Sequence, residues 1–249
     1  MTYREAINLG EKVLNMADVA DAKIDAWLLL EMVCKIDRSF YYLHMEDEIA
    51  EEQLSEYEIA LRKRAEHVPL QYIVGEAEFM GLKFKVNSNV LIPRQDTETL
   101  VEEALKVVKP GMKVLDMCTG SGCIIVSIVH NIPEVEGVAT DISKQALLVA
   151  KENAKLNQVS VTFERSDLFD NVTGTYDVIV SNPPYIRTEE VVKLMPEVQN
   201  FEPMEALDGK EDGLYFYRKI IEECKSYLKP GGHILFEIGY DQGEAVSGL

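Results

Sequence analysis

From about residue 97 onward, apolar runs of strand length alternate with stretches whose apolar residues have helical spacing. This alternation predicts a mostly parallel sheet covered by helices on both faces. Ligands of such sheets bind beyond the carboxyl ends of the strands. The pattern predicts strands at Lys113–Met117, Val135–Thr140, Val159–Arg165, Tyr176–Ser181 and His233–Ile238. It predicts helices at Thr97–Val108, Gly122–Asn131, Ser143–Asn157 and Tyr215–Leu228, with Ser143 as an N-cap and Pro230-Gly231-Gly232 as a helix stop and turn.

The first part of the chain has a different pattern, with apolar residues spaced for a small bundle of helices. The charges of Glu51–Arg64 run from acidic to basic, as the dipole of a helix favours. Pro69 is expected to end the last of these helices. Glu78–Val86 then alternates like a short hairpin or an extended connector, with Gly81 near a turn. We therefore expect a helical N-terminal domain over 1–72, a hairpin linker over 73–96 and a sheet domain over 97–249.

Composition narrows the class of protein and of partner. The 249 residues are 47% hydrophobic, which is enough for a sizeable core, and no apolar run approaches the roughly 20 residues of a membrane span. The start of the chain has no signal-peptide or transit-peptide pattern, so a cytoplasmic location is expected. A net charge of −18 disfavours a nucleic-acid partner and suits a basic protein. Four scattered cysteines predict reduced thiols and no metal site.

Three of the predicted strands end in residues suited to a nucleoside-bearing ligand. The first runs into the glycine turn Asp116–Gly122, where backbone can approach a ligand closely. Ile125 stands where a dinucleotide-binding fingerprint needs glycine, and the acid before the turn suits a cationic ligand better than a pyrophosphate. Asp141 ends the second strand and can accept both ribose hydroxyls, in a nicotinamide or an S-adenosylmethionine site. After the third strand, Asp167 can accept from an adenine amine and Leu168 can flank its ring.

The strand Tyr176–Ser181 ends in the tetrad Asn182-Pro183-Pro184-Tyr185. A planar NH2 group offers two N–H donors, and Asn182 Oδ1 and the Pro183 carbonyl can accept one each. Proline has no N–H, so this segment does not continue a sheet ladder. Tyr185 can cover the flat face of the bound group. The tetrad therefore predicts a grip on an amide or on an exocyclic amine.

Together, these strand ends resemble a class I S-adenosylmethionine-dependent methyltransferase that acts on a planar nitrogen. Further motifs over nearly the whole chain are similar to the HemK/PrmC family, the protein-(glutamine-N(5)) methyltransferases of peptide chain release factors. These motifs are Pro69–Glu76, Phe79–Leu82, Leu91–Arg94 with Asp96–Glu98, Phe201–Pro203, Ala206-Leu207, Asp212–Leu214, Glu237–Gly239 and Gln242-Gly243.

The resemblance implies a Rossmann-like methyltransferase domain over 97–249 and an N-terminal domain that docks a class I release factor, in a monomeric enzyme. It implies S-adenosylmethionine as donor and S-adenosylhomocysteine as product. The implied donor-binding residues are Cys118, Thr119, Gly120, Ser121, Gly122, Asp141, Asp167, Leu168 and Asn182. Asn182, Pro183, Pro184 and Tyr185 are implied to bind the substrate glutamine, with Asn182, Pro183 and Tyr185 in the catalytic role.

Three departures from the family pattern, and several alternatives, accompany this resemblance. Cys118 replaces a usual glycine, and Gln95 replaces a usual proline. The sequence also lacks the family's final antiparallel strand pair, so the His233–Ile238 strand is expected at an exposed sheet edge. The alternatives are a ribosomal-protein glutamine methyltransferase, a nucleic-acid amine methyltransferase, a donor-binding module without catalysis, and a nicotinamide dehydrogenase.

Overall fold

The structure, a computed structural model, describes all 249 residues. The chain divides into two compact units. One unit contains Met1–Gly75 together with Pro196–Phe201, and the other contains Glu76–Met195 and Glu202–Leu249. Nothing in the sequence pattern indicated that residues near 200 group with the N-terminal helices.

The first unit is a bundle of helices around its own core. α1 begins at a capping box, in which the Thr2 hydroxyl accepts from the Glu5 backbone N–H and the Glu5 carboxylate accepts from the Thr2 N–H. Trp27 and Tyr57 are among the buried core side chains. The helices are α1 (Tyr3–Met16), α2 (Ala22–Cys34), α3 (Arg38–His44), α4 (Glu51–Ala65), α5 (Leu70–Val74) and α10 (Pro196–Phe201).

Arg64, near the end of α4, joins three parts of this unit. Its guanidinium donates to Asp25 Oδ2 at 2.7 Å and to Glu197 Oε1 at 2.9 Å. The Arg64 and Asp25 side chains are only 8% and 7% exposed, so these charges are paired away from water. The prediction for Pro69 is wrong, because α4 already ends at Ala65 and Pro69 starts α5, a position that its fixed φ tolerates.

The second unit opens with the predicted hairpin, which the structure confirms as β1 (Glu76–Phe79) and β2 (Leu82–Lys85) around a turn at Met80-Gly81. Phe79 and Phe84 face the core beneath the large sheet and are 1% and 0% exposed. The hairpin is therefore packed as part of the sheet unit.

The main sheet has five parallel strands in the order β5-β4-β3-β6-β7. Neighbouring residues of each strand point to opposite faces. Val114 and Val178 pack on the face covered by α6 and α7, whereas Leu115 and Ile179 pack on the face that carries Ile220 of α11. The elements are α6 (Gln95–Val107), β3 (Lys113–Met117), α7 (Cys123–Asn131), β4 (Glu136–Asp141), α8 (Lys144–Leu156), β5 (Val161–Arg165), β6 (Tyr176–Ser181), α11 (Tyr215–Cys224) and β7 (Leu228–Phe236).

The predicted bounds of β3 and β6 are confirmed, and so is the N-cap at Ser143, whose hydroxyl accepts from the Ala146 N–H. The prediction for β7 is wrong at its start. Tyr176 pairs with Leu228 and Val178 with His233, so Pro230-Gly231-Gly232 bulges out within the strand. The Tyr176 N–H donates to the Tyr227 carbonyl, which draws the chain into the ladder directly after α11.

Short elements complete the second unit: α9 (Thr188–Val191), one 3-10 turn (Met204–Ala206) and α12 (Gly243–Ser247). β7 lies at one edge of the sheet. No helix of the chain combines the length and the apolar character needed to cross a bilayer.

Candidate active site

A cavity of about 280 Å³ opens within the second unit, at the carboxyl ends of the central strands. Of the residues predicted for the site, it is lined by Cys118, Thr119, Gly120, Ser121, Asp141, Asp167, Leu168, Asn182 and Pro184. Its charged side chains have both signs: Asp141, Asp167 and Glu205 are acidic, and Arg94 and Lys210 are basic. The topology thus brings most of the predicted residues to one place.

The glycine turn after β3 forms one wall. Cys118 and Gly120 have φ of +61° and +55°, so a left-handed backbone position that favours glycine is occupied here by cysteine. A Cβ added to Gly120 would meet nothing within 4 Å, which leaves the turn open beside the cavity. Thr119 N–H donates to the Thr140 carbonyl and ties the turn to β4.

Asp116, read from the sequence as facing a cationic ligand, does not line the cavity. It is fully buried and its Oδ2 accepts from the Thr119 hydroxyl at 2.5 Å. Burial raises the pKa of Asp116 to about 7, against the opposing effect of the Thr119 hydrogen bond. Asp116 therefore stabilises the turn through its hydrogen bond with Thr119.

Asp141 ends β4 and presents its carboxylate at the cavity. Its Oδ2 accepts from the Gly120 N–H and its Oδ1 from the Ser143 N–H, both at 2.8 Å. Burial raises the pKa of Asp141, and these two hydrogen bonds oppose that change. Each oxygen keeps lone-pair capacity beyond its backbone bond, so the carboxylate is fixed in place and can still accept from ligand hydroxyls.

The turn after β5 carries Leu168, which lines the cavity at a positive φ of +45°. Ser166 holds this turn, because its hydroxyl donates to the Leu168 carbonyl and accepts from the Asn171 N–H. Asp167 lies beside Leu168 and is exposed.

Asn182 is half-buried at the end of β6 and lines the cavity together with Pro184. Its Nδ2 donates to the hydroxyl of buried Thr97 in a long hydrogen bond of 3.5 Å. The Pro183 carbonyl accepts no hydrogen bond from within the chain. The hydrogen bond of Asn182 uses its Nδ2, so Asn182 Oδ1 and the neighbouring Pro183 carbonyl are both left as acceptors where the strand ends.

Gly122, Pro183 and Tyr185 were predicted for the site and are not among the residues that line this cavity. Gly122 is the N-cap of α7 and packs on Ala150 of α8. Tyr185 instead lines a neighbouring cavity of about 560 Å³, where its hydroxyl donates to Glu237 Oε1 at 3.3 Å. The tetrad therefore separates the two cavities.

The loop after α10 holds the tetrad in this position. Ile186 N–H donates to the Leu207 carbonyl, and Gly209 N–H donates to the Ile186 carbonyl. A Cβ at Gly209 would lie 2.6 Å from Tyr185 Cα, so only glycine allows this approach. Gln242 Nε2 donates to the Tyr185 carbonyl at 3.0 Å.

Sequence reasoning about chemistry missed a second group of lining residues. Asn89 and Leu91 come from the linker, and Glu205 and Lys210 from the loop after α10, whereas Arg94 lines the cavity from a motif that the sequence had marked. The motifs at Leu91–Arg94 and Phe201–Pro203 marked these stretches, but no local pattern predicted that the two stretches contact each other.

An ion pair joins the two stretches, since Arg94 Nη2 binds Glu202 Oε1. The Glu202 side chain is 1% exposed. Burial raises the pKa of Glu202, and the Arg94 charge opposes this.

Comparison with known proteins gives consistent matches over the whole chain. The family described as PrmC N-terminal domain matches residues 5–75, and the family described as methyltransferase small domain matches residues 94–198. A release factor glutamine methyltransferase of Geobacter sulfurreducens is 39% identical over all of this chain and 88% of its own length. The enzyme of the same name from Clostridium acetobutylicum is 44% identical over all of this chain and 90% of its own length. A methyltransferase structure from Pyrococcus furiosus shares the fold, with a TM-score of 0.50 and 20% identity over 68% of this chain and 75% of that one.

Proposed function

The chain belongs to the release factor glutamine methyltransferase family, and from this premise we propose that it transfers a methyl group from S-adenosylmethionine to the side-chain amide nitrogen of a glutamine in peptide chain release factors. One observation carries the proposal for the site. Asn182 lines the cavity, and the carbonyl of Pro183, the residue that follows it, has no internal hydrogen-bond partner, although Pro183 itself does not line the cavity. These are the two acceptors that a primary amide requires.

The residues of the cavity fit the donor. A side chain at Gly120 would meet no atom within 4 Å, so a ligand has room beside the backbone of this turn. The Asp141 carboxylate is held by two backbone N–H groups and can still accept hydrogen bonds from two ribose hydroxyls. Asp167 and Leu168 line the same cavity and are proposed to contact the adenine amine and ring. When bound, S-adenosylmethionine supplies a methyl group on a positively charged sulfur. The residues proposed to hold it are Cys118, Thr119, Gly120, Ser121, Asp141, Asp167, Leu168 and Asn182, while Gly122 shapes the turn as the N-cap of α7.

The tetrad is proposed to activate the substrate by orientation and charge. An amide nitrogen is a poor nucleophile because its lone pair is shared with the carbonyl. Asn182 Oδ1 and the Pro183 carbonyl would accept the two N–H bonds and aim the nitrogen at the cavity. Positive charge develops on that nitrogen during transfer, the two oxygens stabilise it, and the nitrogen loses its excess proton afterwards. Pro184 and Tyr185 shape the slot on either side.

The protein substrate is larger than the cavity, so we propose that the helical N-terminal unit docks the release factor. The charge of −18 favours basic protein surfaces over nucleic acid as partner. A monomeric enzyme that acts in the cytoplasm is proposed, where release factors are made and used.

The test measures transfer of a radiolabelled methyl group to purified release factors, to ribosomal proteins and to DNA and RNA. Mass spectrometry then locates the methyl group. Label on one glutamine of the release factor supports the proposal, and label only on another substrate contradicts it.

Asn182→Ala should lower turnover at least 100-fold, because one of two amide acceptors is lost, while S-adenosylhomocysteine binding changes less than tenfold. Exposed Asn15 provides the matched control, and Asn15→Ala should retain full turnover. Wild-type turnover in Asn182→Ala would remove Asn182 from the chemistry.

A further inference from the structure

Asn182 can serve as an acceptor only if its amide oxygen, and not its NH2 group, faces the substrate. The two ends of an amide have nearly the same size, so the groups behind the side chain decide which end points into the cavity. Thr97 is one such group, but its hydroxyl can both accept and donate. A group that only accepts would settle the orientation.

Glu237 stands behind the tetrad, one residue after β7 ends. Its backbone N–H donates to the Ser181 carbonyl at 3.1 Å, directly before Asn182, and its own carbonyl accepts from the Tyr217 hydroxyl at 2.8 Å. The main chain of Glu237 is therefore clamped on both sides. Its side chain lines the neighbouring cavity and not the one beside Asn182.

The Glu237 carboxylate has acceptor capacity to spare. Oε1 accepts from the Tyr185 hydroxyl at 3.3 Å, whereas Oε2 is buried without a hydrogen-bond partner. Burial raises the pKa of the Tyr185 hydroxyl to about 12, and the charge of Glu237 adds to this, so the hydroxyl stays a donor at neutral pH. Burial raises the pKa of Glu237 itself, and interactions with the Thr97 hydroxyl, the Tyr185 hydroxyl and the Asn182 amide oppose that change.

We propose that Glu237 is a positioning residue. Its carboxylate accepts from the Asn182 NH2 group on the side away from the cavity, so that Asn182 Oδ1 faces the substrate amide. An ionised carboxylate has no N–H or O–H, so it pairs only with the NH2 end. A hydrogen bond to a charged acceptor also polarises the Asn182 amide and strengthens Oδ1 as an acceptor. This inference rests on the proposed function, because it needs an amide as the substrate.

The proposal is tested with Glu237→Gln in the full chain, with release factor and S-adenosylmethionine as substrates. A glutamine keeps the shape but can present its own NH2 group, which allows the inverted Asn182. We expect kcat to fall at least tenfold, while the KM for the release factor and the affinity for S-adenosylhomocysteine change less than threefold. Glu237→Asp keeps the charge and should recover part of kcat. Glu103, an exposed carboxylate on the same neighbouring cavity, provides the control, and Glu103→Gln should match the wild type.

Two further outcomes separate this role from a structural one. If Glu237 acts through Asn182, Glu237→Gln should lower turnover no further once Asn182→Ala is present. Wild-type kcat in Glu237→Gln would overturn the inference, and so would an equal loss of kcat and of S-adenosylhomocysteine binding. Failure of the proposed function has a different signature, since the wild-type protein itself would then leave release factors unmethylated.

Discussion

Gly122 offers a sharp test of how the donor turn is built. It is the N-cap of α7, with φ of +80°, and its N–H closes the turn by donating to the Thr119 carbonyl at 2.8 Å. A Cβ placed there would lie 3.0 Å from Ala150 Cβ and 3.3 Å from Ala150 Cα. Gly122→Ala therefore combines an unfavourable backbone conformation with a contact that is too close.

The two effects have separate magnitudes. A left-handed conformation costs an L-residue about 1–2 kcal/mol. Overpacking by one carbon in a buried site costs about 1–3 kcal/mol. The free energy of unfolding should therefore fall by about 2–5 kcal/mol, which corresponds to a drop in Tm of roughly 4–20 °C for a domain of this size.

Gly120 is the matched control, since its φ is +55° but a Cβ there would meet nothing within 4 Å. Gly120→Ala should lower Tm by a few degrees only, the part that is due to the left-handed backbone conformation. In calorimetry, adding Ala150→Gly to Gly122→Ala should recover part of the loss, because it removes the methyl group that clashes. Equal Tm values for Gly122→Ala and Gly120→Ala, or strictly additive effects of Ala150→Gly, would refute the steric account.

Two predictions concern buried charges. Arg64→Ala leaves the Asp25 carboxylate buried and unpaired, so the first unit should lose about 3–5 kcal/mol of stability, whereas loss of the exposed Lys106 should change little. Fluorescence of Trp27, the single tryptophan, reports unfolding of that unit, and an unchanged denaturation midpoint would contradict this. Asp116 has a raised pKa of about 7, so its neutral form is favoured in the folded protein and stability falls as pH rises from about 4 to 7, by up to about 4 kcal/mol. Asp116→Asn cannot ionise, so its Tm relative to wild type should rise between about pH 4 and 7, and a constant difference would contradict this assignment.

The sheet was readable from the sequence because its signals are local. Buried strands such as β3 and β6 are rich in apolar residues, including Val114-Leu115 and Val178-Ile179-Val180, and Ser143 marks a helix start within three residues. The β7 boundary was misplaced because Pro230-Gly231-Gly232 has the composition of a turn, while pairing with β6 carries the strand past it. Tertiary contact here overrides local preference.

The site residues likewise include some that local sequence signals could place and others that depend on tertiary contacts. Residues at strand ends, such as Asp141 and Asn182, could be placed together because parallel strands bring their carboxyl ends to one edge. The pairing of Arg94 with Glu202 spans more than 100 residues and leaves no trace in spacing. The sequence marked Glu237 only as part of a motif. Its proposed role could not be predicted, because that role depends on the side from which Glu237 approaches Asn182.

The membership of α10 in the first unit has a consequence for biosynthesis. Glu197, a partner of Arg64, is translated long after residue 75. At about 5–20 residues per second, the ribosome needs roughly 6–25 s to reach it. The bundle is therefore finished only after the first four parallel strands of the sheet have emerged, and a gene fragment that stops at residue 75 encodes a bundle with one helix missing.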